Sequence, residues 1–251
     1  PYDMTNVTLT NPVMDSTDQR IDVYYPVNGT TGSYPVIAYA HGYTNYPTDY
    51  LRLFRGLVSF GYVIVAPWAC RNGCDDDPTT LPRDPDGFAH YYRQQLRALD
   101  WAIASAKAKN NSVLSLINAS HSAGVAGHSM GGQATVFSSS YANASTHNIG
   151  AAVMHHAYTH EYPGPRIPFL AFTGSDDLVA PHFMTEQFYN AEDANPSKGF
   201  VNKFLADHFE CEDPWPGQFP PNAYNDLLPH FTAAWFKVHL ERKPQEFGIN
   251  F

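Results

Sequence analysis

The sequence predicts an α/β protein: a mostly parallel sheet with helices on both faces. Short apolar runs rich in β-branched and aromatic residues alternate with segments of helical periodicity, the order that builds such a sheet. The runs at 36–40, 62–66 and 151–154 are nearly all apolar, as strands buried on both faces must be. A third observation is a strand–turn–helix passage. Ala123-Gly124-Val125-Ala126 leads through Gly127-His128-Ser129-Met130-Gly131-Gly132 into the helix-forming Gln133-Ala134-Thr135-Val136-Phe137.

Each element has its own signal. Val23-Tyr24-Tyr25 follows the opening segment as an early strand, and 36–40 is a strand ending in His41-Gly42-Tyr43. Residues 48–60 read as a helix stopped by Gly61, a residue suited to a helix C-terminus. The strand at 62–66 is closed by Pro67. Phe88, Tyr92, Leu96, Leu99 and Ile103 fall on one face of a long amphipathic helix. After the passage through Ser129 come strands at 151–154, 169–172 and 200–204, with helices at 183–189 and 227–240. No repeat and no low-complexity linker interrupts the 251 residues, so one domain over 1–251 is expected. The stretch between Val153 and Phe169 has the length of a loop and is too short for a cap domain.

Composition narrows the partners. A net charge of −9 with no Lys/Arg cluster excludes nucleic acid and anionic membrane surfaces as expected partners. No apolar run is long enough to span a bilayer. The first residue is Pro1 rather than Met, as expected of a mature or trimmed product. Sequons at Asn6, Asn28, Asn110, Asn118 and Asn143, with three cysteines, point to a secreted glycoprotein holding one disulfide. Cys211 pairing with Cys70 or Cys74, and a local Cys70–Cys74 bridge, are both open.

The glycine-serine turn reads as G-x-S-x-G, the nucleophile elbow of serine hydrolases. A serine hydroxyl is a weak nucleophile until a base takes its proton, and that base is normally a histidine oriented by a carboxylate. In α/β-hydrolases the chain order is Ser, acid, His, each at the C-terminal end of a strand. Thr173-Gly174-Ser175-Asp176-Asp177-Leu178-Val179-Ala180-Pro181 follows one strand and offers two acids, of which Asp177 fits the D-x-[IV]-x-P register better than Asp176. Among 12 histidines, His208 follows the next strand directly, 31 residues beyond Asp177. The triad expected is therefore Ser129, His208 and Asp177. Oxyanion donors are expected at the backbone N–H of Met130, the residue after the nucleophile, and of Tyr43 in the loop after 36–40. With no cap, the active face is open and suits bulky or extended substrates.

Taken together, these segments resemble the cutinase-like polyesterases, the group that includes poly(ethylene terephthalate) hydrolases. Residues 20–26, the run from Tyr34 into Thr44, the Leu57-Val58-Ser59-Phe60-Gly61-Tyr62-Val63 turn, the elbow and the loop at 177–181 all match that pattern. The resemblance implies an α/β-hydrolase fold without a cap domain and a secreted, monomeric serine esterase with no cofactor. It implies carboxylic esters, polymeric or lipid, as substrates. Lipase-like and chlorophyllase-like esterases share the scaffold, and a non-catalytic binding module on this fold would normally lack Ser129 or His208. Family members carry an aromatic, often Trp, after the strand that follows the elbow; here that stretch is His155-His156-Ala157-Tyr158. Tyr43, His128, His156 and Tyr158 are the substrate-facing residues expected, with His156 or Tyr158 replacing the Trp. The acidic stretch with Asp75, Asp76, Asp77, Asp84 and Asp86 lacks EF-hand spacing, and His155, His156, His160 and Glu161 lack H-E-x-x-H order, so no metal is expected.

Overall fold

The computed structural model describes residues 2–12, 14, 18–74, 90–160, 164–191, 197–214 and 227–241. Eight strands form one sheet: β1 (Met4–Thr10), β2 (Arg20–Pro26), β3 (Val36–Ala40), β4 (Val63–Pro67), β5 (Ala123–His128), β6 (Ile149–His155), β7 (Phe169–Gly174) and β8 (Lys198–Lys203). Their order is β1-β2-β4-β3-β5-β6-β7-β8. The pairs β1/β2 and β2/β4 are antiparallel, and every pair from β4 to β8 is parallel. The helices are α1 (Leu51–Ser59), α2 (Tyr91–Ala108), α3 (Met130–Ser138), α4 (Tyr141–Thr146), α5 (His182–Asn190) and α6 (Leu227–Leu240). This is the α/β-hydrolase architecture.

Alternate residues of the central strands divide the core between the two faces. Tyr24, Ile37, Tyr39 and Ile64 pack under α1 and α6, through Leu53, Phe54, Leu57, Trp235 and Phe236. Val23, Val36, Ala38, Val63 and Val125 pack under α2 to α5, through Leu96, Leu99, Val136, Ala144 and Phe188. The period of two in a strand is the reason one chain can serve both layers. α1 buries Leu53, Phe54, Leu57 and Val58 at helical spacing, and its chain reverses at Gly61, whose φ of +89° favours glycine. The predicted helix start at 48 is a 3₁₀ turn, Pro47–Tyr50, running into α1. Phe88 and the acidic residues Asp75, Asp76, Asp77, Asp84 and Asp86 lie outside the described residues.

The opening segment is a strand that the apolar pattern does not announce. β1 holds only Val7 and Leu9 as strongly apolar alternating positions after Met4, because an edge strand half open to water needs little more. The short α4 is likewise absent from the periodicity reading. Between β6 and β7 the described residues hold no helix or strand, so the C-terminal edge of the sheet carries no cap there.

Candidate active site

The register brings the C-terminal ends of β3, β5, β6 and β7 into one row: Ala40 beside Gly127, His128 beside His155, and His155 beside Phe172. Ser129 follows β5 directly and precedes α3. Its backbone sits at φ 54°, ψ −117°, a conformation that non-glycine residues adopt only when the surroundings impose it. Those surroundings are backbone. A Cβ on Gly127 would fall 2.2 Å from the Gly131 carbonyl oxygen, and one on Gly131 would fall 2.0 Å from that of Ala40. Ser129 N–H donates to His155 O at 3.1 Å, and its carbonyl accepts from Gln133 N–H at 3.0 Å and Tyr158 N–H at 3.1 Å. The elbow is thus held in place from β3, β6 and α3 at once.

Of the two acids, Asp177 is buried and Asp176 is exposed. The Asp177 Oδ1 accepts the N–H groups of Val179 at 3.0 Å and Ala180 at 2.7 Å, so the turn after β7 aims the carboxylate. His208 Nδ1 lies 2.9 Å from Asp177 Oδ2 and 3.1 Å from Oδ1. The two loops are stitched together: Ser175 N–H donates to Lys203 O and Asp176 N–H to Ala206 O, both at 3.0 Å. Gly174 permits this approach, since a Cβ there would fall 2.0 Å from the Ala206 carbonyl oxygen. Burial alone would push the Asp177 carboxyl up, yet hydrogen bonds from His156 and His208 hold it well below the usual carboxylate range.

His128 and His156 are corrections. Both rings are buried, at 1% and 0% exposure, and neither offers a face to a substrate. His128 Nε2 lies 2.8 Å from the His208 carbonyl oxygen, and its Nδ1 lies 2.9 Å from the Tyr50 hydroxyl and 3.5 Å from Glu212 Oε1. Burial pushes His128 well below its ordinary value, and the nearby His208 and His156 add to this. His156 sits behind the acid, with Nδ1 2.8 Å from Asp177 Oδ2 and Nε2 3.1 Å from Glu210 Oε1. Tyr158 is half-buried beside the elbow, and its ring meets His160 edge to face at 5.5 Å.

Met130 is the first residue of α3, where a backbone N–H has no partner within the helix. Tyr43 lies in the loop after β3, and its side chain is 46% exposed. That loop touches the elbow: a Cβ on Gly42 would fall 2.9 Å from His128 Nδ1, and Gly42 N–H donates to the Tyr50 hydroxyl at 2.8 Å. The loops that carry Asp177 and His208 also bear exposed apolar residues, Leu178 at 90%, Phe204 at 79% and Leu205 at 63%.

Three residues of this site carry no motif: Tyr50, Glu210 and Lys203. The one signal present was the acidic run Glu210-Cys211-Glu212-Asp213, two residues beyond His208. The disulfide is the local one, Cys70–Cys74, and Cys211 is a buried thiol. Among the described residues, His156, Asp177 and His208 form the group whose ligand atoms converge. Their spacings are those of hydrogen bonds, which account for the cluster without an ion. His155 and His160 stand outside this group, and Glu161 lies outside the described residues.

Comparison with known proteins agrees with this architecture. A family model described as PET hydrolase-like matches residues 8–244. Cutinase est1 of Thermobifida alba is 30% identical over 86% of this chain and 63% of its own length. A bis(hydroxyethyl) terephthalate hydrolase of Streptomyces coelicolor is 26% identical over 87% of this chain and 61% of its own. Cutinase est2 of Thermobifida alba is 28% identical over 86% and 62%. The chain therefore spans a little over six-tenths of the length of the curated relatives it matches.

Proposed function

The chain belongs to the PET hydrolase-like family, and from that premise we propose that it is a secreted serine esterase acting on carboxylic esters of the cutinase or polyester type. Ser129 attacks the ester carbonyl while His208 takes its proton, and His208 returns that proton to the leaving alcohol. Asp177 holds the His208 ring in orientation and stabilises its charged form. The N–H groups of Met130 and Tyr43 hold the oxyanion. Water, activated by His208, then releases the acyl group and regenerates Ser129. This chemistry draws on no cofactor.

One observation carries the reading: a buried carboxylate bonded to His208 at 2.9 Å, with the His208 carbonyl oxygen 2.8 Å from Nε2 of His128, the residue directly before a serine held at positive φ. The open sheet edge and exposed Leu178, Phe204 and Leu205 favour an apolar, extended ester over a small polar one. Tyr43 and Tyr158 are its expected walls. The sequons and the Cys70–Cys74 bridge support secretion. Within this sequence a single hydrolase domain acting as a monomer suffices for the mechanism.

A fluorophosphonate probe tests the reading, because it labels only an activated serine. Labelling is expected on Ser129 in folded protein and is lost in Ser129→Ala. An unlabelled Ser129 removes the enzyme reading. Hydrolysis of short p-nitrophenyl esters without release of monomers from polyester film removes the polyesterase reading alone.

A further inference from the structure

The reaction assigns no step to His156, yet its fully buried ring is held by carboxylates at both nitrogens. Nδ1 lies 2.8 Å from Asp177 Oδ2 and Nε2 3.1 Å from Glu210 Oε1. An ionised carboxylate only accepts hydrogen bonds, and a neutral imidazole has a single N–H to give. Two carboxylates on opposite nitrogens therefore call for a ring that carries both protons.

The alternative is that one of the acids is protonated, and the partners of both argue against it. Asp177 already accepts two backbone N–H groups and faces His208 Nδ1. The second oxygen of Glu210 receives the Lys203 ammonium. The backbone that carries the ring is fixed as well: His156 stands at φ 47° with its backbone N–H bonded to Phe172 O at 2.9 Å.

Resting on the triad assigned above, we propose that His156 is a positioning residue charged at neutral pH: an imidazolium behind the triad acid that fixes the Asp177 carboxylate against His208 Nδ1. Electrostatics agree with this charge state. Burial works against charge on His156, but its bonds to Asp177 and Glu210 outweigh it and raise the ring above its ordinary value. Burial likewise opposes charge on Glu210, and His156 and then Lys203 hold it below its own.

The groups around the ring come from four elements. His155 precedes it on β6, and His128 at the end of β5 has its ring 6.4 Å away. Asp177 follows β7, while Lys203 ends β8 and Glu210 and His208 follow it. The His208 ring is 6.0 Å from that of His156.

The test is His156→Gln, which keeps a hydrogen-bonding side chain and removes the charge. Its kcat on a soluble p-nitrophenyl ester should fall about tenfold or more with KM little changed, because the Asp177 carboxylate loses the partner that fixes it. Proton–nitrogen correlation spectra of the wild-type histidine rings, assigned through the backbone, should show both nitrogens of His156 protonated at pH 7. This second arm needs no variant to fold. An unchanged kcat in a folded variant, or a neutral-tautomer pattern at His156, overturns the proposal. Ser129 labelling separates the two readings: if it fails the hydrolase reading falls, while the His156 charge state is read independently from the spectrum.

Discussion

The Nε2 of His128 lies 2.8 Å from the backbone carbonyl oxygen of His208, so the residue before Ser129 holds the residue proposed as its base. A carbonyl only accepts, which makes Nε2 the donor. Nδ1 is then the acceptor, 2.9 Å from the Tyr50 hydroxyl, which itself accepts Gly42 N–H at 2.8 Å. One neutral imidazole thereby ties the loop after β3, the elbow and the base loop into a single chain of hydrogen bonds.

Tyr50→Phe breaks that chain at its centre. It leaves Gly42 N–H and His128 Nδ1 buried without the hydroxyl between them, a loss of about 1–3 kcal/mol. Because the proposed oxyanion amide is the neighbouring Tyr43, kcat should fall about tenfold with KM little changed. Urea unfolding together with steady-state kinetics on a soluble ester checks both. Unchanged kcat in a destabilised protein would make the link structural only.

The two adjacent acids should separate cleanly. Asp177→Asn cannot accept the His208 N–H as a charged partner and should lower kcat/KM by about 10³–10⁴-fold. Asp176 is exposed, and its Oδ1 accepts the Ser175 hydroxyl at 3.0 Å, so Asp176→Asn should stay within about twofold. Equal losses in the two variants would undo the assignment of the acid.

What was legible in the sequence followed from period and motif. The all-apolar run at 36–40 is β3 residue for residue, and the helix read at 227–240 is α6. The elbow and the Asp177–His208 pair could be read because each sits at a strand end in a fixed chain order. His156 could not. Its sequence position next to the expected aromatic made it a wall residue, but positive φ turns its ring under Asp177 rather than over Ser129. Glu210 and Lys203 stayed hidden because a bond between side chains of separate elements leaves no periodic trace in either one. The disulfide was open for the same reason: spacing allows Cys70–Cys74, and only the fold shows Cys211 buried beneath α1 and α6.

Acid stability should depend on histidines buried in neutral form. Burial, with the charge of His156 beside it, pushes His155 down to about 3. Between pH 6.5 and 3 the unfolded chain therefore binds a proton at this residue that the folded chain does not, so stability falls as pH falls, by about 1.4 kcal/mol per unit. His156, held above its ordinary value, is protonated in both states below pH 6.5 and is silent there; its contribution is lost only as pH rises through its folded value. Asp177 and Glu210, held low, lose theirs only below about pH 4. His155→Phe suits a site between the rings of Tyr39 and Phe172. Urea midpoints between pH 4.5 and 6 should lose about one proton of slope in this variant, and an unchanged slope would show that His155 titrates alike in both states.

The apolar rim gives the substrate prediction. Leu178 directly follows the acid, and Phe204 and Leu205 lead into the base loop; all three are well exposed. Leu205 is also held at φ 60°, with its N–H donated to the Ser175 hydroxyl at 2.8 Å. Large exposed apolar side chains at a strained backbone are costly in water and recover that cost against an apolar surface. A short soluble ester reaches Ser129 without covering them, whereas a polyester film must lie across them. Leu178→Ser combined with Phe204→Ser should leave p-nitrophenyl acetate hydrolysis within about twofold, because exposed positions carry little stability. Release of soluble monomers from film should fall about fivefold or more, together with adsorption of the protein to the film. Equal losses on both substrates would place these side chains in the support of the catalytic loops rather than in contact with the polymer.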